Sequence, residues 1–148
     1  MRGDIIRTNH VGFTVRDLDR AIAMFVDMFG YAVASRGGRN PPAVQALTGV
    51  PGADIEVVHL RCDGLLGVEL IAYRAPEDSG QAVGRPCDAG YTHLTFDVSD
   101  LDAALARAAV HQLLPVGEVV GNTGGTKGIR VVYLRDPDGL NIELVQRA

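Results

Sequence analysis

Two histidines and two glutamates recur at matching places in the two halves of this 148-residue chain. His10 opens the segment HVGFTVRDLD, and His93 opens HLTFDVSDLD 83 residues later, with six of the ten positions identical. Each half also carries one glutamate in a short apolar segment, Glu69 in GVELIAY and Glu143 in NIELVQR. Two imidazole nitrogens and two carboxylate oxygens suit one divalent Zn, Ni, Co, Mn or ferrous ion. The recurrence therefore predicts a metal site with these four side chains as ligands.

The apolar neighbours of the two glutamates support this prediction. A carboxylate flanked by large aliphatic residues loses hydration unless something compensates its charge, and a divalent cation does so. A single His or Glu on a strand is more often hydrogen-bonded or solvent-facing, so the repeated pair carries the argument. His59 alternates with Val57 and Ile55 and is predicted to be either a core residue or part of a pocket wall.

Each repeat must place its ligands on strands, because the residues around His10 and His93 alternate with a period of two. In the first copy a helix is predicted to follow, with Asp17 as N-cap and Gly30 as its end. In the second copy Ser99 and Asp102 form a capping-box pattern. The later apolar segments DIEVVHL, GVELIAY, IRVVYLR and LNIELVQ are predicted strands. The order in each half is therefore strand, helix and about three strands.

The domain organisation follows from the polar stretch between the halves. The segment 75–90, rich in Pro, Gly and Asp, is predicted to connect a first module at about 6–74 with a second at about 91–148. Two further segments, 36–53 and 117–128, are predicted to be irregular and to line or close over a site. Their cations Arg36, Arg39 and Lys127 are candidates for binding a substrate carboxylate or phosphate. GNTGGTKG departs from the P-loop pattern around Lys127, which excludes a nucleotide site.

Composition limits the partners and the location. The net charge is −4 and no dense basic stripe occurs, which argues against nucleic acid as a partner. No apolar run approaches the roughly 18 to 20 residues of a membrane span, and no signal peptide is recognisable at the N-terminus. Cys62 and Cys87 form no ligand motif and are predicted to be free thiols. We therefore expect a cytoplasmic protein that acts on a small molecule and has no membrane partner.

The chain resembles the vicinal oxygen chelate superfamily, which includes glyoxalase I, methylmalonyl-CoA epimerase, extradiol dioxygenases and bleomycin-resistance proteins. The segments that carry the resemblance are TNHVGFTVRDLDRAIAMFVDMFGY, YTHLTFDVSDLDAAL and YLRDPDGLNIELVQ. The resemblance implies an α+β fold in which two tandem βαβββ modules form a cup-shaped mixed sheet around the metal. It also places the four ligand positions on His10, Glu69, His93 and Glu143, and it implies a homodimer.

The implied activity is that of glyoxalase I and the related epimerases, because all four ligand positions are filled. In those enzymes a metal holds two substrate oxygens and a carboxylate removes the proton from the carbon between them. By this resemblance Glu143 is the catalytic base, and Glu69 serves on the opposite face of the enolate. Isomerase, epimerase and lyase reactions remain open. The alternatives are a ferrous extradiol dioxygenase and a binding or resistance protein without turnover.

The chain departs from two of the named members of the family. Thr14 stands where glyoxalase I proteins carry an arginine that meets glutathione, which argues against a glutathione-derived substrate and makes Thr14 a candidate substrate contact. Methylmalonyl-CoA epimerases carry Gln at the position of Glu69 and a catalytic Glu that aligns near Gly52. Glu56 is the nearest glutamate to that position.

Overall fold

The computed structural model describes residues 3–39, 41–121 and 128–148, and the chain divides into two compact units, Met1–Ser79 and Gly80–Ala148. The first unit contains β1 (His10–Thr14), α1 (Leu18–Phe29), β2 (Ala32–Arg39), α2 (Ala43–Thr48), β3 (Asp54–Arg61) and β4 (Gly67–Ala75). The second contains β5 (Leu94–Asp97), α3 (Leu101–Val110), β6 (Leu114–Pro115), β7 (Val120–Gly121), β8 (Ile129–Arg135) and β9 (Asn141–Arg147).

Each unit has its own mixed sheet. The first sheet has the strand order β1-β4-β3-β2, in which β1 is parallel to β4 and the other pairs are antiparallel. The second has the order β5-β9-β8-β6, with β5 parallel to β9 and β7 also paired to β8. The same strand–helix–strand order occurs in both units. The prediction of an α+β fold built from βαβββ modules is therefore confirmed.

The first predicted helix is also confirmed. Asp17 caps α1, because its carboxylate accepts a hydrogen bond from the Arg20 amide at 2.9 Å. Gly30 ends the helix in the left-handed conformation at φ 70°, which glycine adopts without steric cost. Met24 and Phe25 are fully buried, and α1 packs on β4. Helix α1 thus covers one face of the sheet and leaves the other for the site.

The segment 36–53 is not irregular throughout, contrary to the prediction. Strand β2 continues to Arg39, and α2 occupies Ala43–Thr48. Val44 on α2 is buried against Ile55 and Val57 of β3, and Ile71 of β4 packs on the same cluster. This apolar contact holds the helix against the sheet face that α1 does not cover.

The N-cap of α3 also differs from the prediction. Asp100, not Ser99, accepts a hydrogen bond from the Ala103 amide at 3.0 Å, because the helix begins at Leu101. Asp100 and Leu101 lie 83 residues after the corresponding cap pair of α1. The internal repeat would therefore have located the cap more accurately than the capping-box pattern.

The remaining expectations have separate outcomes. Cys62 and Cys87 are both free thiols. Across the described residues, no helix is long and apolar enough to cross a membrane. In the segment 117–128, β7 occupies Val120–Gly121, and Lys127 lies outside the described residues.

The N-cap assignment is testable by a matched pair of variants. Asp100→Ala leaves the first turn of α3 without its side-chain acceptor and is expected to lower the free energy of unfolding by about 1 kcal/mol. Ser99→Ala is expected to have little effect, since the structure assigns the cap to Asp100. Urea unfolding followed by circular dichroism measures both values. A larger loss for Ser99→Ala would contradict the cap described above.

The close approach of β1 to β4 predicts a second stability effect. A Cβ added at Gly67, which pairs with His10, would collide with the Arg61 side chain and lie 2.9 Å from the Asn9 carbonyl oxygen. Gly67→Ala is therefore expected to lower the free energy of unfolding by about 1 to 3 kcal/mol. Gly37→Ala on β2 is the control, because a Cβ there meets nothing within 4 Å. Equal unfolding free energies for the two variants would show that the pairing of β1 with β4 does not depend on a glycine at position 67.

Candidate functional site

The first His–Glu pair lies across the parallel strands β1 and β4. In their register His10 pairs with Gly67 and Gly12 with Glu69, which puts the His10 and Glu69 side chains on one sheet face. The His10 Nε2 atom lies 3.7 Å from Glu69 Oε1. The side chains are 35% and 21% exposed, so the pair is accessible from solvent while its carboxylate is mostly shielded.

Hydrogen bonds orient the His10 ring. Its Nδ1 lies 2.9 Å from Asn9 Oδ1, and the Arg61 guanidinium also donates to that oxygen, at 3.3 Å. An amide oxygen only accepts, so Nδ1 carries the proton and Nε2 presents its lone pair towards Glu69. A metal-binding histidine characteristically donates its second ring nitrogen in this way. Two metal–ligand bonds together span at most about 4.2 Å. His10 Nε2 and Glu69 Oε1 lie 3.7 Å apart, so their separation suits a cation bound by both.

The second pair repeats this arrangement in the other unit. His93 immediately precedes β5, and its Nε2 lies 3.3 Å from Glu143 Oε2. The Thr95 hydroxyl donates to the same oxygen at 2.7 Å, because Thr95 and Glu143 are register partners on β5 and β9. Tyr133 is the register partner of Glu143 on β8, and its ring meets the His93 ring edge-on at a centroid distance of 4.8 Å.

The Tyr133 phenol is kept neutral by its surroundings. Its burial, followed by the charge of Glu143 and the presence of Tyr91, raises the pKa of Tyr133 above its usual value. The hydroxyl therefore keeps its proton at neutral pH and is available as a hydrogen-bond donor. The Tyr91 ring stands 6.5 Å from the Tyr133 ring and completes an aromatic wall beside His93.

A cavity of about 470 Å³ opens beside Glu143. Its size lies within the range of small-molecule sites, and its surface is mostly apolar. Glu143 and Tyr133 provide polar groups at this cavity, together with Glu118. The other lining residues are Pro86, Val116, Gly117, Val120, Val131 and Val132.

Each unit thus supplies one imidazole and one carboxylate in an arrangement that fits a divalent cation. In the ranges 3–39, 41–121 and 128–148, no three or more His, Cys, Asp or Glu side chains are gathered closely enough to hold an ion by themselves. Within each pair the donor types and their spacing suit a divalent cation, and in the first pair the orientation of the His10 ring does so too. Two donors are too few for the four-coordinate sites that zinc prefers, so neither pair is complete alone.

The predicted substrate-binding residues lie at different places. Thr14 is exposed on β1 and alternates onto the same face as His10, and Arg39 shares the face of Ile55 at the far end of β2. Arg36 instead donates to Glu56 and to Asp19 of α1, on the opposite face. Lys127 falls in the part of the chain for which no structure is described.

The Glu56 carboxylate is occupied by cations. It accepts hydrogen bonds from Arg36 and, at 2.6 Å, from Arg74, and these bonds lower its pKa below the usual value. Glu56 pairs with Gly38 and Ala72, on the sheet face opposite Glu69. It is therefore a structural ion-pair partner in this unit and lies apart from the His–Glu pair.

The structure adds His59 to the site. Its Nε2 lies 2.9 Å from Glu69 Oε2, and its ring centroid is 6.1 Å from that of His10. A second internal repeat could have located it, since EVVHLRCDGLLGVELI and RVVYLRDPDGLNIELV share seven of sixteen positions at an offset of 74. In that alignment Glu69 matches Glu143 and His59 matches Tyr133. In the first sheet His59 is the register partner of Glu69, and in the second Tyr133 is the register partner of Glu143.

Comparisons with known proteins agree with this architecture. The sequence model described as Glyoxalase/Bleomycin resistance protein/Dioxygenase superfamily matches residues 9–133. A 2-epi-5-epi-valiolone epimerase from Actinomyces sp is 30% identical over 148 residues, which cover 95% of this chain and 79% of that protein.

Solved structures show the same fold. A glyoxalase family protein from Bacillus cereus has a TM-score of 0.83 and 25% identity, with 99% of this chain and 97% of that chain covered. A trypanothione-dependent glyoxalase I from Leishmania major has a TM-score of 0.63 and 21% identity, with 96% and 87% covered. Together with the match over residues 9–133, these relatives show that the chain belongs to the glyoxalase/bleomycin resistance protein/dioxygenase superfamily, also called vicinal oxygen chelate.

Proposed function

We propose that the protein is a divalent-metal-dependent epimerase or isomerase that moves a proton next to a carbonyl group of a small oxygenated substrate. The observation that carries this proposal is the His–Glu pair repeated in the two units, at 3.7 Å between His10 and Glu69 and 3.3 Å between His93 and Glu143. The epimerase relative at 30% identity supports the epimerase subtype. A cyclic polyol ketone of the kind named in that relative is the first substrate to test.

His10, Glu69, His93 and Glu143 would hold the metal. When bound, the metal would neutralise the negative charge that develops on the substrate oxygens as the proton leaves. The protein supplies the remaining parts of the reaction: ligand orientation, a binding cavity and a base. The hydrogen bond that His10 Nδ1 donates to Asn9 Oδ1 fixes the His10 ring and so contributes to ligand orientation.

Glu143 is the proposed base. It borders the cavity, and its contacts with Thr95 and His93 both engage Oε2, so within the described residues Oε1 is available to a substrate. The carboxylate takes the proton from the carbon beside the carbonyl, and the C–H electron pair stays on the substrate as an enolate. A proton from water that reaches the opposite face of the same carbon gives the epimer, and Glu143 then releases its own proton to water. Transfer of the Glu143 proton to the neighbouring carbon gives the isomer.

Tyr133 and the valine-rich wall are proposed to hold the substrate during this transfer. The neutral phenol would donate a hydrogen bond to a substrate oxygen beside Glu143, and the apolar lining would restrict water around the enolate. The homodimer expected from the family resemblance and the cytoplasmic location stay predictions.

The decisive experiment combines metal analysis with proton exchange. Protein purified without an affinity tag is analysed for bound metal and then incubated with 2-epi-5-epi-valiolone in deuterium oxide. Deuterium entering the carbon next to the carbonyl, followed by NMR, is the expected result. Absence of bound metal after reconstitution, with no exchange, would overturn the proposal and favour a binding protein. Bound iron with oxygen consumption on a catechol would favour the dioxygenase instead.

Two substitutions separate proton transfer from metal binding. Glu143→Gln removes the base and is expected to slow exchange by about 10²- to 10⁴-fold with only a modest loss of metal. His10→Ala is expected to lose metal and exchange activity together, because it removes a ligand. The control is His111→Ala at the end of α3, which should keep both properties. Wild-type exchange in Glu143→Gln, or a loss of metal from Glu143→Gln as complete as from His10→Ala, would contradict the assigned roles.

The cavity beside Glu143 predicts a further effect. Val131 lies on β8 two residues before Tyr133, on the same face, and lines this cavity. Val131→Phe places a phenyl ring in the volume assigned to the substrate and is expected to lower kcat/KM about tenfold while bound metal is unchanged. Val110→Phe is the matched control, because Val110 is an exposed residue of α3. If Val131→Phe retained the kinetics of the wild type, the substrate would bind elsewhere.

A further inference from the structure

A chain of polar side chains runs behind Glu69 on the sheet of the first unit. Ser35 on β2, His59 on β3 and Glu69 on β4 are consecutive register partners, so all three side chains share one face. Ser35 Oγ lies 3.0 Å from His59 Nδ1, and His59 Nε2 lies 2.9 Å from Glu69 Oε2. The metal ligands proposed above leave Ser35 and His59 without a role.

One neutral tautomer of His59 satisfies both contacts. An ionised carboxylate only accepts hydrogen bonds, so Nε2 carries the proton and donates to Glu69. The Nδ1 lone pair then accepts from the Ser35 hydroxyl, which has its own proton to give. The serine thus fixes the tautomer and the ring angle that the glutamate requires.

A local irregularity in the sheet produces this alignment. The pairing of β2 with β3 shifts register between Val33 and Ser35, which is the mark of a β-bulge. A bulge re-aims the side chains that follow it, and here it brings Ser35 opposite His59. Without the shift, every residue of β2 beyond the bulge would present its side chain on the other face.

The second unit holds its glutamate differently. Glu143 accepts from the Thr95 hydroxyl, and the position equivalent to Thr95 in the first unit is Gly12, which has no side chain to donate. The position equivalent to His59 is Tyr133. Both halves therefore have the His–Glu pair, but a different side chain forms a hydrogen bond to the glutamate in each half.

We infer that His59, backed by Ser35, is a positioning residue that clamps Glu69 Oε2 and so presents Oε1 towards His10 as a single-oxygen metal ligand. This inference rests on the metal-binding part of the proposed function. The clamp keeps Glu69 in place during turnover and assigns removal of the substrate proton to Glu143, whose Oε2 accepts from the rotatable Thr95 hydroxyl. Outer partners of this kind commonly contribute 10- to 100-fold to metal affinity.

The experiment uses the full chain and Co²⁺, whose affinity is measured by chelator competition and whose visible spectrum reports the ligands. His59→Phe keeps a ring but removes the donor, and we expect its Co²⁺ dissociation constant to rise about 10- to 100-fold. Ser35→Ala should raise it about two- to fivefold. His111→Phe is the matched control and should leave Co²⁺ affinity unchanged. Circular dichroism and the midpoint of thermal unfolding confirm that each variant is folded.

Rescue distinguishes positioning from direct ligation. His59→Gln places an amide N–H near the position of Nε2 and is expected to recover most of the lost affinity with the wild-type Co²⁺ spectrum. A changed spectrum without rescue in His59→Gln would mean that His59 is itself a ligand, and would overturn the inference.

A measurement without metal provides an independent readout. Long-range ¹H–¹⁵N spectra of the metal-free protein should show His59 as the Nε2–H tautomer, and Ser35→Ala should shift its Nδ1 resonance. Wild-type protein that binds no Co²⁺ would overturn the proposed function. Wild-type protein that binds Co²⁺, with unchanged affinity in His59→Phe, would overturn only the role of His59.

Discussion

The site depends on one constraint, which is that an interior strand of each sheet carries a carboxylate directly beside an imidazole. β4 and β9 are flanked by hydrogen-bonded strands on both sides, so Glu69 and Glu143 cannot move away without breaking a ladder. Their neighbours Val68, Leu70, Ile142 and Leu144 are fully buried. The strand period of two then sends the aliphatic residues into the core and the carboxylate to the other face, where few groups can compensate its charge.

Much of this arrangement could be predicted because it repeats. Local sequence sets the alternation around His10 and His93, the apolar segments of β3, β4, β8 and β9, and the α1 caps. The duplication indicates that these elements form two similar units. β2 could not be recognised, since all eight of its residues are exposed and two are glycine, which removes the hydrophobic alternation. Helix α2 is held mainly by the burial of Val44, a tertiary contact that periodicity does not report.

The residues around the four proposed ligands were harder to recognise in the sequence than these four candidates themselves. His59 differs from its counterpart Tyr133, so a search for identical residues passes over it, although the flanking Val57, Val58 and Leu60 repeat. Its partner Ser35 comes into place through a bulge, and register shifts leave no clear mark in a glycine-containing exposed strand. The His–Glu pair is thus the same in both halves, whereas the side chains that contact its glutamate differ.

The position of the histidines on outer strands has a consequence for folding and motion. β1 and β5 lie at sheet edges and carry or adjoin His10 and His93, whereas the glutamates lie on interior strands. Edge strands open with less free energy than interior ones, and His10 is separated from Glu69 by a long chain loop that must close first. An ion bound by both His10 on β1 and Glu69 on β4 would bind only when β1 is paired with β4. Cation concentration would thereby set how often that edge detaches, and hydrogen exchange of the β1 amides would track metal occupancy.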